Sequence, residues 1–146
     1  AVISNVEASK AIPGVEISGG PVIRVGDRRK AFDPLAESLL LAARSKLPKS
    51  KPVQRGLMSG GTCEATPWGL AGWQATGVAI PLGNYHNQGP RNRLAPEVVS
   101  VKDLATAVDL IEAAARDAEA GERWDAATRR RLDGYLRRMG PRLTKA

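Results

Sequence analysis

His86 is the first residue that could do chemistry, and it is the only histidine of the 146-residue chain. It lies just beyond the apolar run Thr76 to Leu82 (TGVAIPL), which has the length of a strand buried on both faces. Ligands of open α/β sheets bind beyond strand ends of this kind. Neutral imidazole is the commonest metal ligand, so His86 is a candidate ligand, although a lone histidine is more often a surface or packing residue.

The turn Gly60-Gly61-Thr62-Cys63-Glu64 is the second candidate. Its backbone N–H groups open toward the start of a predicted helix over 63–74, a position that can seat a carboxylate or an oxyanion. Glu64 is predicted to hold a substrate amine, to hold a histidine that itself binds metal, or to be an ordinary first-turn acid of that helix. The helix start predicts a lowered thiol pKa for Cys63, but no neighbouring histidine supports a nucleophilic role.

Strands that alternate with helices must position these residues. The remaining apolar segments predict strands over 1–8, 21–25 and 53–58, and a helix over 34–46 with Asp33 as its N-cap. This alternation predicts an α/β fold with a mixed, mostly parallel sheet covered by helices.

Two further helices are predicted after the sheet. The first runs over 101–118 with Ser100 as its N-cap, and its apolar stripe is predicted to face the core: Val101, Leu104, Val108, Ile111 and Ala115. The second runs over 124–139 and carries many arginines. Residues 121–146 are therefore predicted to be a basic helical extension that docks onto a partner or onto its own domain.

Five pieces of the sequence, in this order, resemble the C-terminal half of the two-metal aminopeptidases of the glutamyl-aminopeptidase and cellulase-M-like family. The most specific piece is the Gly-Gly-Thr turn, the helix and the T-G-V-x-I-P-L strand that lead to His86. The others are the first strand, Ile12-Pro13-Gly14-Val15, the segment GPVIRVGDR at 20–28, and Pro96-Glu97 with the following helix. The resemblance covers residues 1–118.

The resemblance implies a zinc-peptidase-like half-domain in which this chain supplies metal ligands. In that family the histidine after the strand and a carboxylate of the first strand bind metal, which implies His86 and Glu7. Strict counting back from Pro13-Gly14 places Asn5 at the carboxylate position, and an amide offsets metal charge poorly. Glu7 with a two-residue shift is therefore the predicted ligand, with Asn5 as the alternative. The family also has an aspartate where Cys63 stands.

The resemblance also implies the activity, which is metal-dependent aminopeptidase-like hydrolysis of a peptide or amide substrate. Two divalent metal ions, zinc by resemblance, would polarise the scissile carbonyl and supply a hydroxide. The general base and the other ligands of the family precede the first strand, so no catalytic residue is expected within this chain. Residues 1–120 would be the C-terminal part of the catalytic domain. The substrate-binding residues would be Gly60, Gly61, Thr62 and Glu64.

The composition and the net charge limit which classes of partner are expected. The net charge is +7, but no RNA-binding signature or aromatic platform accompanies it, so nucleic acid is not an expected partner. No membrane span and no signal peptide are predicted, and the expected location is cytoplasmic. The expected partners are the missing N-terminal half of the same enzyme and further copies in an oligomer. The alternative function is a non-catalytic structural or interaction subunit, derived from such a peptidase, that docks through its basic surface and C-terminal helix.

Overall fold

The central element is a fully covered strand, as the apolar run at 76–82 predicts. The computed structural model describes residues 1–143, apart from the side chains of residues 121, 122, 124, 125, 142 and 143. The strands are β1 Val2–Lys10, β2 Val22–Asp27, β3 Gln54–Met58, β4 Gln74–Gly83 and β5 Val98–Val99. Their order is β1-β4-β2-β3, and β5 pairs with the end of β4. The eight inner residues of β4 are all buried.

The sheet is mixed, as predicted, and its two parallel pairs run in opposite directions. β1 is parallel to β4, and β2 is parallel to β3. β2 and β5 are both antiparallel to β4. The carboxyl end of β3 therefore lies at the edge of the sheet where β1 and β4 begin.

The α-helices of the described chain are α1 Pro34–Lys46, α2 Ala65–Leu70, α3 Val101–Arg116 and α4 Ala120–Leu143, and the first three of them cover the sheet. Both predicted N-caps are confirmed. Asp33 Oδ1 accepts hydrogen bonds from the N–H groups of Leu35 and Ala36, each at 2.9 Å, and Ser100 Oγ accepts one from Asp103 N at 3.4 Å. α2 is shorter than the predicted helix over 63–74.

The two faces of the sheet carry separate cores. α1 and α3 cover the face that contains Ile23 and Val78, where Leu40 and Leu110 complete the larger core. α2 covers the opposite face, where the core is smaller: Phe32, Cys63, Ala65 and Ala75.

The predicted inward face of α3 is wrong. Val101, Leu104 and Val108 are 79%, 45% and 58% exposed. The buried residues are Asp103, Thr106, Ala107, Leu110 and Ala114. Hydrogen bonds turn the helix to this face, because the buried Asp103 accepts from Ser18 N at 2.8 Å and from Gly20 N at 2.9 Å. Apolar periodicity alone gives no weight to such a bond.

The corrected face predicts which substitutions in α3 reduce stability. Leu110→Ala should lower the free energy of unfolding by about 3 kcal/mol, because it leaves a cavity in a fully buried site. Val108→Ala, two residues earlier and on the exposed side, should change it by no more than about 0.5 kcal/mol. Urea unfolding of both variants measures the difference. If both variants lost the same free energy of unfolding, Val108 would be buried as well, which contradicts the observed face of α3.

The last helix, α4, packs along α1. It includes the whole of the helix predicted over 124–139. Its large apolar side chains that the structure describes are exposed, with Leu132, Leu136 and Met139 on one side, whereas Ala120 at its start is buried. The division at residue 121 stays a prediction, and residues 144–146 of that extension lie outside the described residues. No helix within residues 1–143 has the length and apolar character needed to cross a membrane.

Candidate functional site

The face of the sheet under α2 gathers the polar side chains of β1. Side chains alternate between faces along a strand, so Asn5, Glu7 and Ser9 share this face, where each is partly buried. Their neighbour β4 offers room because Gly77 lies opposite Asn5. A Cβ at Gly77 would lie 2.4 Å from Asn5 Oδ1, so only glycine leaves the amide its place.

The glycine-rich turn folds back across this face. The turn follows β3, which ends at the edge of the sheet opposite to the carboxyl ends of β1 and β4. The turn and β1 therefore do not meet because parallel strands end at one edge, as the sequence predicts; they meet because the turn folds back. Arg28 N donates a hydrogen bond to Gly61 O at 3.0 Å and fixes the turn at the end of β2. The turn and β1 enclose a cavity of about 130 Å³. Its polar lining residues include Glu7, Ser9, Lys10, Arg24, Thr62 and Tyr85, with Gly60 and Gly61 beside them.

Arg24 is the residue of this cavity that sequence reasoning missed. Its side chain is 2% exposed, and Nη1 donates to Glu7 Oε1 and, at 3.4 Å, to Ser9 Oγ. Ser9 Oγ also donates to Glu7 Oε1, at 2.6 Å. Nη2 donates to Met58 O at 3.5 Å. A charged residue inside the apolar segment VIRVG was the available signal, because such a residue is rarely buried without a partner.

Glu64 and Cys63 lie next to Asn5. Asn5 Nδ2 donates to Glu64 Oε2 at 3.2 Å, and the Cys63 thiol lies 3.6 Å from Asn5 Oδ1. Burial raises the pKa of Cys63 above its ordinary value, so the predicted lowering by a helix start is wrong. α2 begins at Ala65 and has only six residues, which offers little dipole to oppose the loss of hydration.

Asp27 at the end of β2 is a second residue that sequence reasoning missed. Its Oδ2 accepts from Cys63 N at 3.0 Å and from Thr66 Oγ1 at 2.6 Å, and its Oδ1 accepts from the N–H groups of Arg29 and Lys30. Burial opposes its ionisation, but these four hydrogen bonds outweigh burial and hold the pKa of Asp27 below its ordinary value. Asp27 therefore fixes the exit of the turn.

His86 lies in the exposed loop after β4. Its ring stacks on that of Tyr85 with 3.9 Å between centroids, and its backbone N donates to Glu97 Oε1 at 2.8 Å. Tyr85 lines the cavity that Glu7 also lines. Among the described residues no three His, Cys, Asp or Glu side chains are grouped to hold a metal ion. The donors among the described residues thus do not fit a complete metal centre, and His86 and Glu7 as ligands stay a prediction.

Solved structures similar to this chain are aminopeptidases. An aminopeptidase from the archaeon Desulfurococcus kamchatkensis matches 75% of this chain at 27% identity, with a TM-score of 0.58 and 32% of its own length covered. A TET aminopeptidase from a marine-sediment Thaumarchaeota archaeon matches 84% at 20% identity, with a TM-score of 0.59 and 35% covered. The TET1 peptidase of Pyrococcus horikoshii matches 77% at 22% identity, with a TM-score of 0.53 and 31% covered.

These similarities concern part of a larger fold. No protein-family model and no curated protein match the sequence. The chain spans about a third of the length of the solved structures that it matches. The narrower resemblance to the glutamyl-aminopeptidase and cellulase-M-like family stays a prediction. The chain has a mixed α/β fold similar to one portion of TET-type aminopeptidases.

Proposed function

We propose that this chain is the C-terminal part of the catalytic domain of a metal-dependent, aminopeptidase-like amide hydrolase. The observation that carries the proposal is the match to the D. kamchatkensis aminopeptidase over three quarters of the chain. The cavity between β1 and the Gly60–Thr62 turn adds support, because a concave site with a few convergent polar groups suits a small ligand.

The turn would seat the substrate. Backbone N–H groups of Gly60, Gly61 and Thr62 can donate to a carbonyl or carboxylate oxygen without a side chain in the way. Glu64 is exposed and held by Asn5 Nδ2, so its carboxylate can pair with a substrate amine. Neither role needs a general base from this chain, and we propose none within it.

His86 is the metal ligand that we propose from this chain. The residue is exposed, and its ring stacks on that of Tyr85, which lines the cavity. Two divalent ions, zinc by resemblance, would draw their other ligands from outside the described residues, since three protein ligands are usual for catalytic zinc.

The rest of the catalytic domain is the partner that we propose for β1. The outer edge of β1 has no strand partner within the described sheet. Beside it lies an apolar groove of about 360 Å³ lined by Val2, Leu35, Leu39, Ile111 and Ala115, among others. Unpaired edges and open apolar grooves are normally covered in native proteins. A related structure is described as a dodecamer, and we propose that the whole protein assembles into an oligomer, in the cytoplasm.

Removal of the His86 imidazole from the complete protein tests the proposal. Hydrolysis of aminoacyl p-nitroanilides with added zinc should fall at least about 100-fold in His86→Ala, because a ligand is lost. His86→Asn should behave alike, and it keeps the positive φ of 57° that asparagine tolerates. Gln88→Ala, in the same exposed loop, is the matched control and should keep full activity. An active His86→Asn variant would refute the assignment.

A non-catalytic interaction subunit is the second candidate. The specific observation in its favour is the exposed apolar stripe Leu132, Tyr135, Leu136 and Met139 on the arginine-rich helix α4. This i, i+3, i+4, i+7 spacing suits a helix that docks into an apolar groove. A complete protein that binds zinc weakly and hydrolyses no amide, yet loses a stable partner on Leu136→Asp, would favour this function.

A further inference from the structure

We infer that Glu7 is the counter-ion of the buried Arg24 rather than a metal ligand, and that the pair positions the Gly60–Thr62 turn. The inference deepens the proposed function, and it rests on that function only for the meaning of the cavity. The pairing itself follows from burial and hydrogen bonds of described residues.

Burial of Arg24 makes a counter-ion necessary. A guanidinium stays protonated, and its charge is costly in a site that is 2% exposed. Glu7 meets this need, because its Oε1 accepts from both Arg24 Nη1 and Ser9 Oγ. The Arg24 Cζ also lies 5.8 Å from the centroid of the Phe32 ring, whose face attracts a cation. Nε of Arg24 is buried without a hydrogen-bond partner among the described residues, so the guanidinium depends on the acceptors at Nη1 and Nη2, of which Glu7 is the charged one.

A metal bound by Glu7 would compete with this arrangement. A divalent ion and the guanidinium would be two cations at one carboxylate, and they would repel each other in a partly buried site. Withdrawing Glu7 toward the metal would leave the Arg24 charge unpaired. Asn5, the alternative ligand, is a neutral amide that already donates to Glu64. The first strand therefore offers no carboxylate that is free to bind a metal ion.

The same guanidinium connects three strands under the turn. Arg24 belongs to β2, Glu7 and Ser9 belong to β1, and the carbonyl of Met58, reached at 3.5 Å, is the last of β3. Gly60 follows Met58 by two residues. Arg24 is thus a positioning residue, because it directs the end of β3 back over the sheet and so sets where the turn lies.

Zinc affinity and thermal stability of the complete protein test the inference. We expect Glu7→Gln to change the zinc dissociation constant, measured by competition with a chromophoric chelator, less than about twofold, and to lower the melting temperature of the metal-free protein by roughly 10 °C. His86→Asn is the contrasting variant, with at least about tenfold weaker zinc binding and an unchanged melting temperature, because asparagine tolerates the positive φ of this position. Tenfold weaker zinc binding by Glu7→Gln without loss of thermal stability would overturn the inference.

A double replacement keeps the test valid if Glu7→Gln does not fold or if the protein binds no zinc. Arg24→Met with Glu7→Leu removes both charges together, and its melting temperature should lie well above the value expected from adding the two single losses. If the losses in melting temperature of the two single variants simply added in the double variant, the pairing of Arg24 with Glu7 would be refuted, whether or not the protein is a hydrolase. In an active protein the double variant should raise KM by about fivefold and leave kcat within about twofold, because the substrate-seating turn moves. An unchanged KM would refute the positioning role.

Discussion

Gly20→Ala is expected to lower the free energy of unfolding by about 5 kcal/mol, since it combines a steric clash with backbone strain. A Cβ at Gly20 would lie 1.8 Å from Pro52 O and 2.6 Å from Pro52 C, so the chain would have to move. Gly20 also has a φ of +93°, which alanine rarely adopts. Its N–H donates to the buried Asp103, so movement would break the contact between this loop and α3. Urea unfolding monitored by circular dichroism measures the loss.

Gly14→Ala is the matched control for this prediction. Gly14 has a similar φ of +86°, but a Cβ there would meet no described atom within 4 Å. This variant should therefore show the cost of the left-handed backbone alone, about 1 kcal/mol. If both variants lost the same amount, the clash with Pro52 would not be the cause.

Asp27→Asn is expected to lower the free energy of unfolding by about 4 kcal/mol at pH 7. The amide group of asparagine would face N–H and O–H donors that now bind a carboxylate, and buried donors would lose their acceptor. Asp33→Asn is the matched control, because Asp33 also accepts two backbone N–H groups but does so at an N-cap, where asparagine serves about as well as aspartate.

The Asp27 contribution should also depend on pH. Its folded pKa is lowered from the ordinary value of 3.8, so the unfolded chain takes up the proton first as the pH falls. The stabilisation is therefore fully present well above pH 3.8 and is lost as the pH falls through the folded pKa. The stability gap between the wild type and Asp27→Asn should narrow from pH 7 to pH 3. A gap that stayed constant would show that Asp27 is not the titrating group.

Local signals were sufficient for most of the fold. The unbroken apolar run at 76–82 identified the central strand, because a strand covered on both faces has no polar side to reveal alternation. Asp33 and Ser100 were recognised because an N-cap depends on residues two or three positions away. These elements are determined within a few residues of sequence, which is the range that pattern reasoning covers.

The site depends on contacts between residues that are far apart in the chain. Arg24 meets Glu7 across 17 positions, and Asp103 meets Gly20 across 83. The first contact gives Glu7 a partner that no motif suggested, and the second rotates α3 away from its apolar stripe. Asp27 binds Thr66 across 39 positions and so decides where α2 starts. A local pattern cannot anticipate such pairs, because the sequence around one residue does not contain its partner.

The parallel pairing of β1 with β4 has a consequence for how the chain folds. Each residue of β1 pairs with one 72 positions later, from Val2 with Gln74 to Lys10 with Leu82. Closing so long a loop costs chain entropy before any contact stabilises it, and non-local pairing of this kind slows folding. On the ribosome β1 emerges before β4 and must wait for it, and β4 is also the strand that β2 and β5 need. The arrival of β4 is therefore the event that allows the whole sheet to assemble.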